Sequence, residues 1–373
     1  MNTKVKILSV VWYKVFPAEF GGQKGIVNFN KALAKQFQLT CICGSNNTLF
    51  EQEGYKIINA LPVTKLQFIN PVVWLKIARV AATCNATHLI IEHPYHGIAA
   101  WMLKKKGLII ITHSHNIEYQ RFKDLKKPYW PLLKLFEKWV YKMSDLVLFK
   151  TKEDADFAVR EMRVLTPRTL QVGYGVEEKD LSDRATCRGE ICRQHNISPA
   201  ITILLFNGTL DYQPNARAVE DVYNKIVPEL DKVQSYVYKI FITGRLEDGA
   251  FNKLNKLKSD KVIYAGKVDN VDAYFKAADV YINPVTTGGG VQTKTLEALS
   301  YHLNVVCMQS MLKGIDCNLA RNKLFISTNN DWQHFATCII EASKSSDTTP
   351  AVFFRQYSFD NYVLQIKHRL EKV

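Results

Sequence analysis

No run of 18 apolar residues occurs in the 373-residue chain, so a membrane-spanning helix is not expected. The eight cysteines form no CxxC pair, and neither HExxH nor another two-histidine metal spacing is present, which disfavours a zinc site. A GxGxxG fingerprint is also missing, and no carboxylate pair of the hydrolytic kind stands out. These absences argue against a zinc protein, a dinucleotide-binding enzyme with that fingerprint and a glycoside hydrolase.

The start of the chain, MNTKVKILSVVWYK, is too short and too interrupted for a signal peptide, and it indicates a first buried strand. With cysteines that follow no disulfide pattern, this predicts reduced thiols and a cytoplasmic protein.

Acidic residues are scarce in the first half of the chain. Residues 1–176 contain 25 Lys and Arg against 12 Asp and Glu, whereas residues 177–373 contain 24 against 23, so nearly all of the net charge of +14 lies in the first half. A basic half predicts an anionic partner: a membrane surface, a phosphorylated acceptor or a nucleic acid. No nucleic-acid-binding motif accompanies the charge, so nucleic acid is not the expected partner.

Short runs rich in Ile, Val and Leu alternate with amphipathic segments along the whole chain. The runs predicted as strands are 5–12, 39–44, HLIIE (88–92), 108–113, 145–150, 201–208, 237–244, 261–266, 279–284 and NVVCM (304–308). The amphipathic segments predicted as helices include 25–37, 214–227 and 291–302. Strands that are apolar on both faces and separated by helices predict parallel sheets covered on both sides. Residues 172–200 are polar and charged and show no clear period, so we expect a linker near 173–180, after which the pattern resumes. The fold class is therefore α/β, with two doubly wound domains, 1–175 and 176–356. A closing amphipathic helix within 357–373 completes the chain, and a ligand cleft is expected at the carboxyl ends of the strands.

The stretch INPVTTGGGVQTKTLEAL is the strongest candidate for chemistry. Its glycines allow an anion to approach the backbone at a helix N-terminus, where Lys294 can add positive charge. Glu297 lies on the same helical face and can accept hydrogen bonds from two sugar hydroxyls. The alternative is a flexible loop followed by a surface Lys–Glu pair.

Other strand ends carry weaker signals. FGGQKG follows the first strand and presents N–H groups to an anion, or is a turn that merely needs positive φ. His113 and His115 follow a buried strand and can contact a ligand, or cap backbone groups. Asn207, Gly208 and Arg245 follow two strands of the second half, where they can touch phosphate or sugar, or serve the turns.

The segment RFKDLKKPYWPLLKLFEKWVYK, residues 121–142, interleaves basic residues with aromatic residues and leucines. It predicts either an interfacial helix on anionic lipid or a helix whose apolar face belongs to the core and whose lysines are solvated.

The ordered set GGQKG, HNIE, NGTLDYQPN, ITGR, AGKVDNVDAYFKAADVYINP and GGGVQTKTLEAL resembles the retaining nucleotide-sugar glycosyltransferases of family 4, which have the GT-B fold. The resemblance implies two Rossmann-like domains facing a central cleft. In that family the N-terminal domain binds the acceptor and the C-terminal domain binds the nucleotide diphosphate sugar. The last helix usually packs back onto the N-terminal domain, which the resemblance implies for residues 357–373.

The resemblance also implies roles for individual residues. His115 would contact the transferred sugar, with His113 as its alternate; Lys294 would meet the phosphates and Glu297 the ribose. The remaining donor-binding positions are Gly21, Gly22, Asn207, Gly208, Arg245, Lys267, Val268, Thr287, Gly288, Gly289 and Gly290. Two departures stand out: Gly289 replaces a glutamate common in the family, and NGTLDYQPN lacks the usual Arg and Lys.

The expected activity is transfer of a sugar from a UDP- or GDP-sugar to a glycan or lipid-linked acceptor with retention of configuration, in cell-surface polysaccharide or glycolipid synthesis. No metal and no other cofactor are expected, and the basic half allows peripheral association with the inner membrane face. The alternatives are a catalytically weak or inactive sugar-nucleotide-binding protein and a GT-B-fold nucleotide-sugar isomerase.

Overall fold

The computed structural model describes residues 5–18, 21–48, 54–246, 254–288 and 290–371. The chain divides into two compact units, one of residues 1–175 with 357–373 and one of residues 176–356. Gly289 and the first four residues of MNTKVKILSVVWYK therefore lie outside the described residues, as do the last two of the closing segment.

The first unit is built on seven parallel strands. They are β1 (Lys6–Val11), β2 (Gln38–Gly44), β3 (Lys56–Leu61), β4 (His88–Glu92), β5 (Ile109–Ser114), β6 (Leu146–Phe149) and β7 (Thr169–Gln171). Its helices are α1 (Gly21–Gln36), α2 (Pro71–Thr83), α3 (Gly97–Lys104), α4 (Glu118–Asp124), α5 (Trp130–Met143) and α6 (Lys152–Met162). The strand order is β3-β2-β1-β4-β5-β6-β7, so the direction of winding reverses between β1 and β4.

Successive residues of the central strands point to opposite faces of the sheet and pack into two hydrophobic cores, one on each face. One core lies under α2, α3 and α5 and takes Leu8 and Leu89 from the strands. The other contains residues of α1 and of the closing helix and takes Ile7 and Ile90. Helices therefore cover both faces of the sheet, as the apolar runs predict.

The second unit has six parallel strands. They are β8 (Thr202–Asn207), β9 (Tyr238–Thr243), β10 (Val262–Gly266), β11 (Val280–Asn283), β12 (Asn304–Met308) and β13 (Leu324–Ser327). Its helices are α7 (Arg184–Gln194), α8 (Gln213–Asp221), α9 (Val227–Asp231), α10 (Val271–Ala277), α11 (Thr293–Ser300), α12 (Cys317–Ala320), α13 (Trp332–Ala342) and α14 (Ala351–Gln356). The order β10-β9-β8-β11-β12-β13 reverses between β8 and β11.

The closing helix, α15 (Phe359–Leu370), belongs to the first unit. Phe359, Val363 and Ile366 join its core. Gly175 accommodates the helix, because an added Cβ there would collide with the Phe359 ring.

Three local expectations need correction. The interval 172–200 is not wholly irregular, since α7 lies in it and buries Cys187, Ile191 and Cys192. The segment predicted as one helix over 214–227 is divided into α8 and α9 by a π-helical turn at Val222–Ile226. Finally, α1 begins at Gly21 rather than Gly25, and α11 begins at Thr293 rather than Val291. Among the described residues, no helix is long and apolar enough to cross a membrane.

Candidate functional site

Two histidines and a carboxylate meet at the carboxyl edge of the first sheet. Glu92 ends β4 and is paired in register with His113 of β5. One oxygen of Glu92, Oε2, lies 2.9 Å from His113 Nδ1 and 2.6 Å from His115 Nε2. Glu92 and His113 are fully buried, while the His115 side chain retains 13% exposure. The structure therefore brings both predicted histidines together, around a carboxylate that the sequence analysis did not select.

Burial sets the protonation of this cluster. It lowers the pKa of His113 to about 4 and that of His115 well below the ordinary value, in spite of the neighbouring carboxylate. Burial alone would raise the pKa of Glu92, but the two imidazoles beside it hold that pKa below its ordinary value. At neutral pH an ionised carboxylate thus accepts N–H hydrogen bonds from two neutral rings. His115 Nδ1 is then the nitrogen of that ring with a free lone pair.

Neighbouring residues hold His115 in place. The His93 ring stacks on the His115 ring with centroids 4.5 Å apart. His93 itself has a φ of +66°, an uncommon backbone conformation for a residue other than glycine. Its Nδ1 lies 3.3 Å from Glu118 Oε1, and Tyr95 donates a 2.6 Å hydrogen bond to the same carboxylate.

Glu137 anchors the turn that carries His115. From α5 its buried carboxylate accepts hydrogen bonds from the backbone N–H groups of Glu118 and Tyr119, at 2.8 and 2.9 Å. It therefore binds the first N–H groups of α4, where a helix has unsatisfied donors. Tyr141 donates to the same carboxylate and lies 2.6 Å from the hydroxyl of Ser114, next to His115.

Glu92, His113 and His115 form the group of described residues that could hold a metal ion, with their ligand atoms within 4.8 Å of one another. Their separations of 2.6 and 2.9 Å are hydrogen-bond lengths, and both His113 and Glu92 are closed to solvent. We interpret the cluster as a hydrogen-bonded network that orients His115. The expectation that no metal takes part stays a prediction.

Gly21 and Gly22 open α1, directly after the loop that follows β1. Among the glycines described, neither of these two has positive φ, so they serve a helix N-terminus and not a left-handed turn. An added Cβ at Gly22 would meet nothing within 4 Å, which leaves its backbone open to a ligand. Both glycines and Glu92 lie beside the reversal between β1 and β4, where doubly wound sheets bind ligands.

The buried histidines predict a pH-dependent stability. His96 is also buried, and burial lowers its pKa to about 4, as it does for His113. Both pKa values lie below the unfolded value of about 6.5, so the unfolded chain binds more protons between these limits. The free energy of unfolding should be highest above pH 6.5 and should fall as the pH drops toward 4. The slope should approach ~1.4 kcal/mol per pH unit for each histidine, less the opposing contribution of Glu137, whose pKa is raised to about 7 so that the folded chain holds its extra proton over the same range.

Urea unfolding at a series of pH values measures this slope. The His96→Phe variant should lose part of it, since one proton site is removed and the ring already contacts Phe68. Equal stability of the wild type at pH 7.5 and pH 5 would contradict the assignment.

The carboxyl edge of the second sheet also carries polar residues and glycines; it is here called the rim of the second sheet. Asn207 at the end of β8 donates a 2.8 Å hydrogen bond to the hydroxyl of Thr243 at the end of β9. Gly208 and Gly244 follow these strands, and an added Cβ at Gly244 would collide with the Gly208 carbonyl. The two turns are therefore packed backbone against backbone, which brings Asn207 and Gly208 beside Gly244.

Arg245 follows Gly244 and lies with its Nε 3.3 Å from Asp211 Oδ2. Lys267 and Val268 follow β10, the neighbour of β9 at the edge of the sheet. Lys267 is exposed and Val268 is half-buried. These residues line the same carboxyl edge as Asn207, on the β10 side.

The glycine-rich loop follows β11, on the other side of β8. Thr287 is exposed, and Gly288 and Gly290 have φ values of +147° and +80°, a region that favours glycine. The loop leads into α11, whose N-cap Gln292 makes no side-chain cap. Thr295 of α11 accepts a 3.1 Å hydrogen bond from Asn283 of β11, which fixes the helix start against the strand end.

Lys294 and Glu297 lie on one face of α11, as their spacing predicts. The lysine Nζ is 2.6 Å from Glu297 Oε2, and both side chains are partly exposed, at 33% and 22%. Two predicted ligand groups are therefore in contact with each other. The rim thus combines a helix start without a side-chain cap, glycine backbone and a lysine at the reversal between β8 and β11, an arrangement suited to a phosphate group.

Sequence reasoning found the strand ends but missed Glu92, Glu118 and Glu137. The available signal was the charged end of HLIIE, since a carboxylate in a buried strand requires partners.

Two α/β units with parallel sheets, each carrying candidate ligand-binding residues where its strand order reverses, are characteristic of the GT-B class of proteins. The match to Glycosyltransferase Family 4 covers residues 21–172, and the match to Glycosyl transferases group 1 covers residues 201–345. Together the two matches take in most of the chain. The chain belongs to these glycosyltransferases.

Individual relatives are distant. The chain is 23% identical over 292 residues to an uncharacterized 44.6 kDa protein in the cps region of Klebsiella pneumoniae, covering 73% of this chain and 69% of that protein. Anabaena Alr3699/HepE in complex with UDP is 13% identical, with a TM-score of 0.73 over 99% of this chain and 100% of that one. WaaG, a glycosyltransferase involved in lipopolysaccharide biosynthesis, is 14% identical, with a TM-score of 0.65 over 97% and 98%.

Proposed function

We propose that this glycosyltransferase moves a sugar from a UDP- or GDP-sugar to a glycan or lipid-linked acceptor with retention of anomeric configuration. We assign donor binding to the second unit and acceptor binding to the first. The observation that carries the proposal is the rim of the second sheet, where Lys294 and the glycine loop meet at the strand reversal.

Support for the donor comes from chemistry and from likeness. The positive end of the α11 dipole favours a diphosphate, and Lys294 adds a full charge within the first turn, while the N–H groups of Thr293 and Thr295 already bond to backbone carbonyls. Anabaena Alr3699/HepE, which has the same fold, has been crystallised with UDP and with UDP-glucose. The proposed ligand of this rim is accordingly a nucleotide diphosphate sugar, its phosphates at α11 and its base near Lys267 and Val268.

The proposed reaction needs little general acid–base catalysis by protein side chains. A nucleotide diphosphate leaves readily once its charge is neutralised, so positioning and electrostatics can supply most of the rate. In front-face transfer the departing phosphate oxygen takes the proton of the acceptor hydroxyl, and configuration is retained. His115 would then hold the sugar, with Nδ1 accepting a hydrogen bond from a sugar hydroxyl.

A polysaccharide or glycolipid acceptor is the finer part of the proposal. It draws on the basic first half of the chain, on the cps-region relative and on WaaG. The proposed cytoplasmic location, with access to the inner membrane face, follows from the same considerations.

The test is a donor screen. The protein is incubated with UDP- and GDP-sugars, with and without a lipid-linked glycan, and release of UDP or GDP is measured in the presence and absence of EDTA. We expect acceptor-dependent release with one donor class, unchanged by EDTA. Release that requires a divalent ion would overturn the metal-free mechanism.

One observation favours the weaker alternative, a sugar-nucleotide-binding protein. Lys294 is engaged by Glu297 and Arg245 lies beside Asp211, so both predicted phosphate cations face a carboxylate. Thermal stabilisation by a nucleotide sugar without any turnover would identify a binding protein. Conversion of the sugar nucleotide without release of UDP or GDP would identify an isomerase.

A further inference from the structure

The helices that cover one face of the first sheet leave large apolar side chains in solvent. α2, α3 and α5 pack on that face through residues such as Ile77, Leu103 and Val140. Their outer side, here called the α5 face, exposes Val72, Leu75, Trp101, Leu132, Leu135 and Trp139. Large exposed apolar side chains on neighbouring helices are typical of an interaction site.

The helix α5 has two apolar sides rather than one. Glu137, Val140 and Tyr141 are buried against the rest of the unit. Leu132, Leu135 and Trp139, spaced by three and four residues, form a second stripe that is 72%, 66% and 38% exposed. The interpretation of residues 121–142 as a helix with a single, core-facing apolar side is therefore incomplete.

Lysines run alongside this stripe. Lys134, Lys138 and Lys142 repeat every four residues of α5; the first two directly precede Leu135 and Trp139, and Lys142 follows Trp139 by three residues. Basic side chains bordering exposed leucines and a tryptophan are typical of a helix that lies in a membrane interface.

The stripe continues onto the neighbouring helix. Gly97 opens α3, and an added Cβ there would collide with Val140 of α5, so the two helices are in close contact. Trp101, one turn further along α3, is 42% exposed. Lys104, Lys105 and Lys106 follow Trp101 by three to five residues and extend the basic border.

Counter-charge is almost missing from this part of the chain. Residues 54–145 contain fourteen Lys and Arg but five acidic residues. Glu92, Glu118 and Glu137 are buried, and Asp145 pairs with Lys104 at 2.5 Å, which leaves Asp124 as the fully exposed carboxylate. A surface both apolar and uniformly positive complements lipid headgroups of net negative charge.

We propose that the α5 face binds the surface of an anionic bilayer, with Leu132, Leu135 and Trp139 entering the headgroup region and the lysines contacting lipid phosphates. The inference concerns a surface and not the donor rim, so it stands or falls independently of the proposed transferase activity.

The experiment is flotation of the full-length protein with vesicles of phosphatidylcholine alone or mixed with phosphatidylglycerol, without nucleotide sugar. We expect binding to the mixed vesicles that weakens as salt rises. Lys127 is exposed in the turn between α4 and α5. Replacing it together with Lys138 and Lys142 with glutamine should lower the partition coefficient by about tenfold or more. Leu132→Gln with Leu135→Gln should lower it on the mixed vesicles as well, because apolar burial is lost.

Matched controls lie in the second unit. Lys225, Lys258 and Lys344 are exposed there, and their replacement with glutamine removes the same charge. Val233→Gln with Val237→Gln is the apolar control, at positions 38% and 62% exposed. Both controls should bind vesicles like the wild type.

Three results would overturn the proposal: equal binding to both kinds of vesicle, equal losses in the control variants, or retention on DNA or RNA with no vesicle binding. Circular dichroism of each variant checks that the fold is kept. A protein with no transferase activity but with this pattern of vesicle binding would still support the inference.

Discussion

The Lys294→Ala variant is expected to lose about 10²–10³-fold in kcat/KM for the nucleotide sugar. The lysine is the cation in the first turn of α11, and its removal leaves Glu297 as an unpaired negative charge beside the proposed diphosphate. The variant therefore loses an attraction and gains a repulsion at one site. Steady-state kinetics with the donor identified in the screen measures the effect.

Instability cannot produce that loss. The Lys294–Glu297 pair is partly exposed, and pairs of this kind contribute ~0–1 kcal/mol to folding. Lys232 provides a matched control, because it forms an ion pair of 2.7 Å with Glu229 at the same spacing in the same unit. Lys232→Ala should leave kinetics unchanged.

A double variant tests the electrostatic account. Combining Lys294→Ala with Glu297→Gln removes both charges, so donor affinity should recover in part relative to Lys294→Ala alone if repulsion contributes. Wild-type turnover in Lys294→Ala would mean that the pair is only a surface ion pair. In that case the phosphate-binding role of this rim would have to be abandoned.

The interior strands could be predicted from sequence because each is a continuous apolar run. The prediction matches HLIIE and NVVCM to the residue, as β4 and β12. Strands at the edges, β3, β7 and β13, were not predicted. They are short or half-exposed, so their residues follow no clear pattern of burial. Helix α7 was missed for a similar reason, since it buries Cys187, Ile191 and Cys192 within an otherwise polar sequence.

The rim of the second sheet could be predicted from the sequence, because glycine, asparagine and lysine follow strands at recognisable spacings. The residues that contact the candidate site residues could not be predicted. Glu92 and His113 are 21 residues apart and meet only through the parallel register of β4 and β5. Register is set by packing of the whole sheet, which a single sequence does not display.

The Glu92→Gln variant is expected to lower kcat/KM about 10²-fold. An ionised Glu92 can only accept hydrogen bonds, so both His113 Nδ1 and His115 Nε2 must present N–H to it. A glutamine offers one oxygen and one NH₂ group, so one of the two rings must change its tautomer or lose its partner. If that ring is His115, its Nδ1 becomes a donor and can no longer accept from the sugar.

Glu137→Gln controls for the loss of a buried carboxylate. Glu137 binds backbone N–H groups and Tyr141 rather than histidines, and burial raises its pKa to about 7. Its replacement should change the free energy of unfolding but not the tautomer of His115. Comparing kinetics at equal folded fraction separates the two effects.

A double-mutant cycle with His115→Ala then decides whether Glu92 acts through His115. If it does, Glu92→Gln should cause little further loss in the His115→Ala background, because the ring that it orients is gone. Independent, multiplicative losses would show that Glu92 supports activity by another route, such as the fold of the β4–β5 edge. A strong coupling in activity with additive effects on stability would instead fix Glu92 as a positioning residue, which sets the hydrogen-bonding polarity of the histidine that we propose contacts the sugar.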